Sequence, residues 1–477
     1  MVLNGENTEN LPPPKAIPRH KGHWLWGGAF DFRRNPAEFL LEAHEKYGDV
    51  FVTRVLTGQS YFIRDPAVVN AINVTHAKHI NKPKVVKQMW KPFLGNGLVP
   101  NDGESWRRQH KLIMPGFHKL RIDAYAPTMA AYTRDMVREW VEGEQRDFRN
   151  EMVALTLRVV AKTLFDTDLA HDSTTVHDAM EHIVEALIDH AQTPIPVPRW
   201  WPSKRNRRMV KALDAMDGVI ARLIAARRRE MEDRGDLMSH MVFATDEQGG
   251  MSDEQLRDEL MTLIFAGHET TAHTLTWAWY LMATNLDKVA KAREEIDQTL
   301  GGKPIDVEDL PKLPYLEMCL KESLRRMPTV WIYAREAQED LRLGDYFFPK
   351  GSILAVSPLA TGRNAKYFDN PMEFRPERWT REFERVLPKG AYVPFAAGPR
   401  VCLGKQFAMM EMQIILGTLL QNVEINILDG FVPDMLSEIS MNPGERGMQM
   451  NVRFRDGAPA RLGDWDDAAE ISDVHAA

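Results

Sequence analysis

The chain has 477 residues, a formal charge of −7, and 44% hydrophobic against 27% charged residues. That balance suits a globular protein with a sizeable core and excludes a disordered, fibrous or membrane-embedded chain; the mild acidity argues against a general nucleic-acid binder. Two cysteines, Cys319 and Cys402, are too few for a disulfide framework or a thiolate-rich zinc site, so a reducing compartment is expected.

Met1 to Asn10 is a polar leader without the basic start and apolar middle of a signal peptide. No run approaches the about 18 apolar residues of a membrane span, and neither end carries a lipidation signature. A cytoplasmic protein is expected. From the proline-stiffened Leu11-Pro12-Pro13-Pro14-Lys15 one continuous body is read over residues 11–455. Strand signals cluster twice. An early pair covers Asp49–Thr53 and Tyr61–Ile63 with Gly58 in the turn; a late pair covers Tyr346–Phe348 and Ile353–Val356 around Pro349-Lys350-Gly351. Helical patterning fills most of Pro127 to Arg234 and Ser252 to Leu300. The fold class is therefore mainly α, a helix-rich α+β body with small strand pairs at its margins. Residues 456–477 turn small and acidic and are read as a disordered tail.

Trp106 and His110 stand at i, i+4 on one helical face, a pair that alone is an ordinary core contact. Further on, Ser252-Asp253-Glu254-Gln255 has capping-box spacing, and Leu256, Leu260, Leu263 and Ile264 follow at helical spacing. A helix from Ser252 to about Thr284 would be about 50 Å long, and its apolar residues lie on most sides, so it should cross the middle of the protein. Midway lies Ala266-Gly267-His268-Glu269-Thr270-Thr271. Gly267 costs about 1 kcal/mol inside a helix, which the close approach of a flat cofactor or small ligand would explain. Thr270 is placed to bond back to the Ala266 carbonyl, and with Glu269 it makes an acid–alcohol pair in an apolar stretch. His268 reads as a packing or hydrogen-bonding residue.

Glu322-Ser323-Leu324-Arg325 contains an i, i+3 ion pair, followed by Phe374-Arg375-Pro376-Glu377-Arg378-Trp379. The strongest signal is Pro394-Phe395-Ala396-Ala397-Gly398-Pro399-Arg400-Val401-Cys402-Leu403-Gly404. Two glycines bracket one cysteine, so the backbone can bend around the sulfur and offer it amides; a helix from Lys405 onward would place its positive end near the thiol and favour thiolate. An anionic sulfur without thiolate companions suits an axial bond to haem iron, and Arg400 is placed to pair with a propionate. Cys319 lacks such surroundings and reads as a packed thiol.

Phe395, Gly398, Arg400, Cys402 and Gly404, the Ala266–Thr271 string, Glu322/Arg325 and Arg378 together resemble the cytochrome P450 family, over about Leu11 to Arg455. The resemblance implies a triangular, helix-rich fold with haem b (iron protoporphyrin IX) between the long central helix and the cysteine loop. It makes Cys402 the axial iron ligand and sets Phe395, Gly398, Gly404, Ala266 and Gly267 against the haem. Arg400, Trp106, His110 and Arg335 become propionate partners, although the family often has arginine where His110 stands. Glu322, Arg325 and Arg378 become a buried structural network.

The implied activity is a mono-oxygenase that inserts one atom of O2 into a C–H or C=C bond, the thiolate favouring O–O cleavage and Thr270 with Glu269 serving the protons. No flavin or iron–sulfur domain is read after Arg455, so electrons from NAD(P)H should come through a separate ferredoxin or flavodoxin and its reductase. Arg107, Arg108, Lys111 and Lys405 form the expected basic landing patch. The pocket is expected from Trp90, Phe93, Leu98, Phe265, Val330, Trp331, Ile332 and Ile439, with the region Leu187 to Trp200. The stretch Pro194–Pro202 resembles bacterial members that oxidise fatty acids or terpenoids, so a lipophilic substrate of that kind is expected, acted on by a monomer. The competing readings are a peroxide-dependent peroxygenase or isomerase, against which the intact acid–alcohol pair argues, and a non-catalytic haem sensor, which would carry an effector domain.

Overall fold

The computed structural model of the protein describes residues 12–23, 27–55, 58–166, 179–180, 182–187 and 203–458. The polar leader, residues 459–477 of the acidic tail and Pro194–Pro202 lie outside the described residues. The site is framed by β1 (Val50–Val55), β2 (Gly58–Ile63), β3 (Ile80–Asn81), α1 (Lys84–Leu94), α2 (Gly103–Ile113), α3 (Phe148–Phe165), α4 (Asp253–Ala283), α5 (Pro314–Arg326), β4 (Tyr333–Ala337), β5 (Leu341–Leu343), β6 (Tyr346–Phe348), β7 (Ile353–Val356) and α6 (Lys405–Asn422).

Helix α4 is 31 residues long and starts at the capping box read from the sequence, with Ser252 and Gln255 bonding each other's backbone N–H at 3.2 Å. It crosses the middle of the molecule, packed on α1, α3, α5 and α6. Its apolar wrap explains the position: Leu256, Leu260, Leu275, Trp277 and Trp279 are all buried, and Trp279 stacks on Phe148 of α3 at 4.3 Å. No helix among the described residues is long and apolar enough to cross a membrane.

The early strand pair forms as expected, β1 antiparallel to β2 with Val50 opposite Ile63. The late pair does not. Strand β6 pairs with β5, whereas β7 enters the five-stranded sheet β1-β2-β7-β4-β3, parallel to β2 and antiparallel to β4. Burial supplies the reason. Leu354, Ala355 and Val356 are buried against the β2 and β4 neighbours, while Tyr346 and Phe347 keep partial exposure on a two-stranded edge.

Candidate functional site

The loop before α6 is shaped by its first glycine. Gly398 has φ +65°, and a Cβ there would collide with the carbonyl of Asn73, so no other residue fits. Gly404 has no such need, since a Cβ would meet only the Phe117 ring at 3.9 Å. Between them the Cys402 N–H donates to Phe395 O at 2.9 Å. Cys402 is exposed, yet it is enclosed deeply enough that burial pushes its thiol up. Both hold for a side chain on the wall of an internal opening. The Gly404 amide and the Lys405 charge pull the other way, as the helix-end argument requires, but burial outweighs them.

Helix α4 has a matching break in its burial. Leu263 to Phe265 and His268 to Glu269 are buried, whereas Ala266 is exposed and Thr270 half-buried. Accessible surface midway along a buried helix is the other sign of an internal opening. Gly267 answers a different need from the one its sequence suggests: its missing Cβ would point at Val160 of α3, 3.1 Å away, so the glycine serves helix–helix contact and Ala266 is the exposed residue. Thr270 Oγ1 donates to Ala266 O at 2.8 Å, Thr271 Oγ1 to Gly267 O at 3.0 Å and Thr274 Oγ1 to Thr270 O at 2.8 Å. His268 Nδ1 meets Ile264 O at 2.8 Å.

Glu269 turns to the opposite partner set. Its Oε1 accepts from Ser440 Oγ at 3.1 Å, and burial pushes its carboxyl up to about 6. Ser440 is fixed by the chain beside it, where Met441 N donates to Thr329 O and Trp277 Nε1 donates to Met441 O.

Beside the cysteine loop is a basic cluster. Arg400 lies 3.5 Å over the Trp106 ring and donates to Asp102 at 2.5 Å and to Asn101 O at 3.2 Å. Trp106 and His110 are in ring contact at 4.9 Å, and burial with Arg400 holds His110 below its usual value. Arg335, on β4, spans Tyr333 and donates to Ala334 O. Lys87 pairs with Asp102, and Lys82 donates to Leu98 O and Asn101 O. Lys87 and Arg400 pair with one carboxylate, Asp102, whose charge also reaches Arg335 and Lys82; burial and the neighbouring cations hold Lys82 well below its usual value, and burial pushes Glu259, which faces Lys82, up to about 8. Lys87, Arg335 and Arg400 thus exceed Asp102 by two positive charges, a partly enclosed excess fitted to a bound dianion.

Glu322, Arg325 and Arg378 form one buried network. Glu322 accepts two bonds from Arg325 at 2.7 and 2.9 Å, one from Arg378 at 3.0 Å and one from Trp379 Nε1 at 3.0 Å. Among the expected pocket residues, Val330 is exposed and Trp90, Leu98, Ile332 and Ile439 are half-buried. Phe265 is buried against Trp90, with ring centroids 5.2 Å apart. Phe93 and Trp331 are 1% and 3% exposed and sit in the core, so they back the opening. Arg108 is not free for a landing patch, because it forks onto Asp246 at 2.8 and 3.0 Å; Arg107, Lys111 and Lys405 are exposed.

Sequence reasoning missed three features. Lys82 carried no signal at all. Ser440 and His273 lie too far apart in the chain for a motif. Asp258 and Glu259 were legible as adjacent acids in an apolar helix; they accept the amides of Asn96 and Leu98 at 2.7 and 3.0 Å and so pin that loop to α4.

A family model described as Cytochrome P450 matches residues 17–450. Cyclooctatin synthase of Streptomyces melanosporofaciens is 35% identical over 83% of this chain and 86% of that protein. Cyclooctat-9-en-7-ol 5-monooxygenase of the same organism is 31% identical over 83% and 86%. Pentalenene oxygenase of Streptomyces avermitilis is 29% identical over 87% and 91%.

Proposed function

The chain belongs to the cytochrome P450 family and is an oxidoreductase; from that premise we propose that it is a mono-oxygenase of an alicyclic, terpenoid-type hydrocarbon or alcohol. Members of the family use haem b, O2 and electrons from NAD(P)H delivered by a partner. Haem fits the residues present, because an accessible thiol at the wall of an internal opening adjoins a cluster in which Lys87, Arg335 and Arg400 exceed Asp102 by two positive charges, matched to two carboxylates. Cys402 would hold the iron; Arg400, Arg335, Trp106 and His110 would hold the propionates, with Phe395, Gly398, Gly404 and Ala266 around the ring and Gly267 on the α3 side of the helix. Haem so held supplies the activation of O2 for insertion into a C–H or C=C bond.

The chain's own residues then have separate tasks. The Thr270 hydroxyl, already turned along the helix, moves a proton at Oγ1 beside the exposed face of Ala266. Burial raises the Glu269 carboxyl to about 6, so it takes up and releases a proton just below neutral pH. Trp90, Leu98, Phe265, Val330, Ile332 and Ile439 offer an apolar surface that excludes water. Lys82 and Lys87 are engaged by carbonyls and Asp102, which supports a substrate without a carboxylate. Two of the relatives are named for the oxidation of cyclooctat-9-en-7-ol and pentalenene, which supports the same class. A ferredoxin or flavodoxin with its reductase is the proposed electron source.

The observation that carries the reading is Cys402, exposed yet enclosed. Its test is the reduced carbon-monoxide difference spectrum of the purified holoprotein. A Soret band strongly red-shifted from histidine-ligated haem, lost in Cys402→Ala, is the expected result. A spectrum of histidine type, or turnover with peroxide alone and none with NAD(P)H and a reductase system, overturns it. A panel of cyclic terpenoids and free fatty acids, read by the spin-state change, then tests the substrate class.

A further inference from the structure

Behind Glu269 runs a line of hydrogen bonds to which the proposed activity assigns no part. Arg149, near the start of α3, offers its Nε–H to His273 Nε2 at 3.5 Å. Arginine has only donors, so Nε2 is an acceptor and the ring proton sits on Nδ1. Nδ1 meets Ser440 Oγ at 3.1 Å, and Ser440 Oγ donates to Glu269 Oε1 at 3.1 Å. Every donor points the same way, toward the carboxyl. His273 is fully buried, Ser440 and Glu269 are buried, and Arg149 is half-buried at the outer end.

We propose that Ser440, His273 and Arg149 are positioning residues, a one-way donor chain that orients the Glu269 carboxyl and sets the pH at which it releases its proton. The chain does not carry protons inward. Burial together with Arg149 and His268 lowers His273 to about 3, so the imidazole stays neutral. What it supplies is a hydrogen bond to the charged form of Glu269, opposing burial. The charges facing Glu269 are Arg149 from α3, which favours the carboxylate, and Glu438 from the segment holding Ser440, which disfavours it; His268 and His273 flank it on α4. The consequence for proton supply rests on the mono-oxygenase reading, whereas the chain itself does not.

The test is an infrared pH titration of the resting holoprotein, following the protonated-carboxyl stretch that Glu269→Gln abolishes. In the wild type that band titrates near 6. Ser440→Ala removes a bond to a charged acceptor and shifts the titration upward by about one pH unit or more, while Ser440→Thr keeps the hydroxyl and the wild-type value. Arg149→Met, at the half-buried outer end, shifts it upward by less, and the pH dependence of coupled turnover moves in the same direction for both. An unmoved titration in Ser440→Ala, or in Arg149→Met, overturns the proposal. Because the band is read without turnover, a protein that shows the shifts but lacks the thiolate spectrum refutes the proposed function and leaves the donor chain standing.

Discussion

Thr270 and Glu269 are adjacent in the chain but turn to different partners: the threonine hydroxyl donates to Ala266 O at 2.8 Å, and the carboxylate accepts from Ser440 at 3.1 Å. The acid and the alcohol therefore do not bond each other. They are separate stations on two sides of one helix, and each is removable without uncapping the other. Thr270→Ala should keep α4 intact, since it deletes a side-chain bond that only competes with the ladder. Product formed per electron consumed should fall on the order of tenfold or more, with peroxide accumulating while NAD(P)H is still oxidised. Thr270→Ser should retain most of the coupling. Unchanged coupling in the alanine variant would remove Thr270 from the reaction.

The Glu322 network predicts a stability effect with a defined pH dependence. Glu322→Ala leaves Arg325 and Arg378 as buried charges without their carboxylate, at a cost of about 3–5 kcal/mol in urea unfolding. Burial opposes ionisation of Glu322, but its bonds from Arg325 and the Arg378 charge outweigh it and hold the carboxyl below its ordinary value. A depressed carboxylate contributes stability above its unfolded value, about 4.5, that is lost as the pH falls through the folded one. Below that range the wild type and Glu322→Gln should converge. A constant gap down to strong acid would contradict the assignment.

Much of the fold is legible in the sequence alone. Cys402, Thr270 and Glu322 announce themselves because their chemistry depends on neighbours within a few residues, where spacing is visible. The central helix was readable from its capping box and apolar wrap. Other features depend on where distant segments meet. Gly267 looks like a ligand approach in the sequence, and only the α3–α4 crossing reveals Val160. Arg108 looks like part of a free basic face until Asp246, far along the chain, takes its guanidinium. Strands β6 and β7 flank a turn in sequence, yet the sheet they join is decided by which face is buried.

The loop clamp made by Asp258 and Glu259 gives a prediction of opposite sign. Burial pushes the Glu259 carboxyl up to about 8, opposed by the Leu98 amide and Lys82 and reinforced by Asp258. A raised folded value means that the contribution is fully present below the unfolded value, about 4.5, and is lost as the pH rises toward 8. Glu259→Gln should flatten that decline, by at most about 1.4 kcal/mol per pH unit. The same variant keeps an acceptor for the Leu98 N–H, so substrate spin-state titrations at pH 6 should match the wild type. A parallel pH–stability curve for the two proteins would refute the raised carboxyl.

Electron delivery provides the last test. Arg400, which bonds Asp102 just before α2, joins the cysteine loop to that helix, so Arg107 and Lys111 on α2 and Lys405 at the start of α6 are exposed on neighbouring segments. An acidic partner steered by this face should bind faster at low salt, and the advantage should fade as the Debye length shortens. Arg107→Glu combined with Lys405→Glu should slow reduction by a ferredoxin on the order of tenfold at low ionic strength and flatten its salt dependence. Arg108→Gln should leave the salt slope unchanged, because that guanidinium is already neutralised by Asp246. If Arg108 alters the slope and the double reversal does not, the partner docks elsewhere.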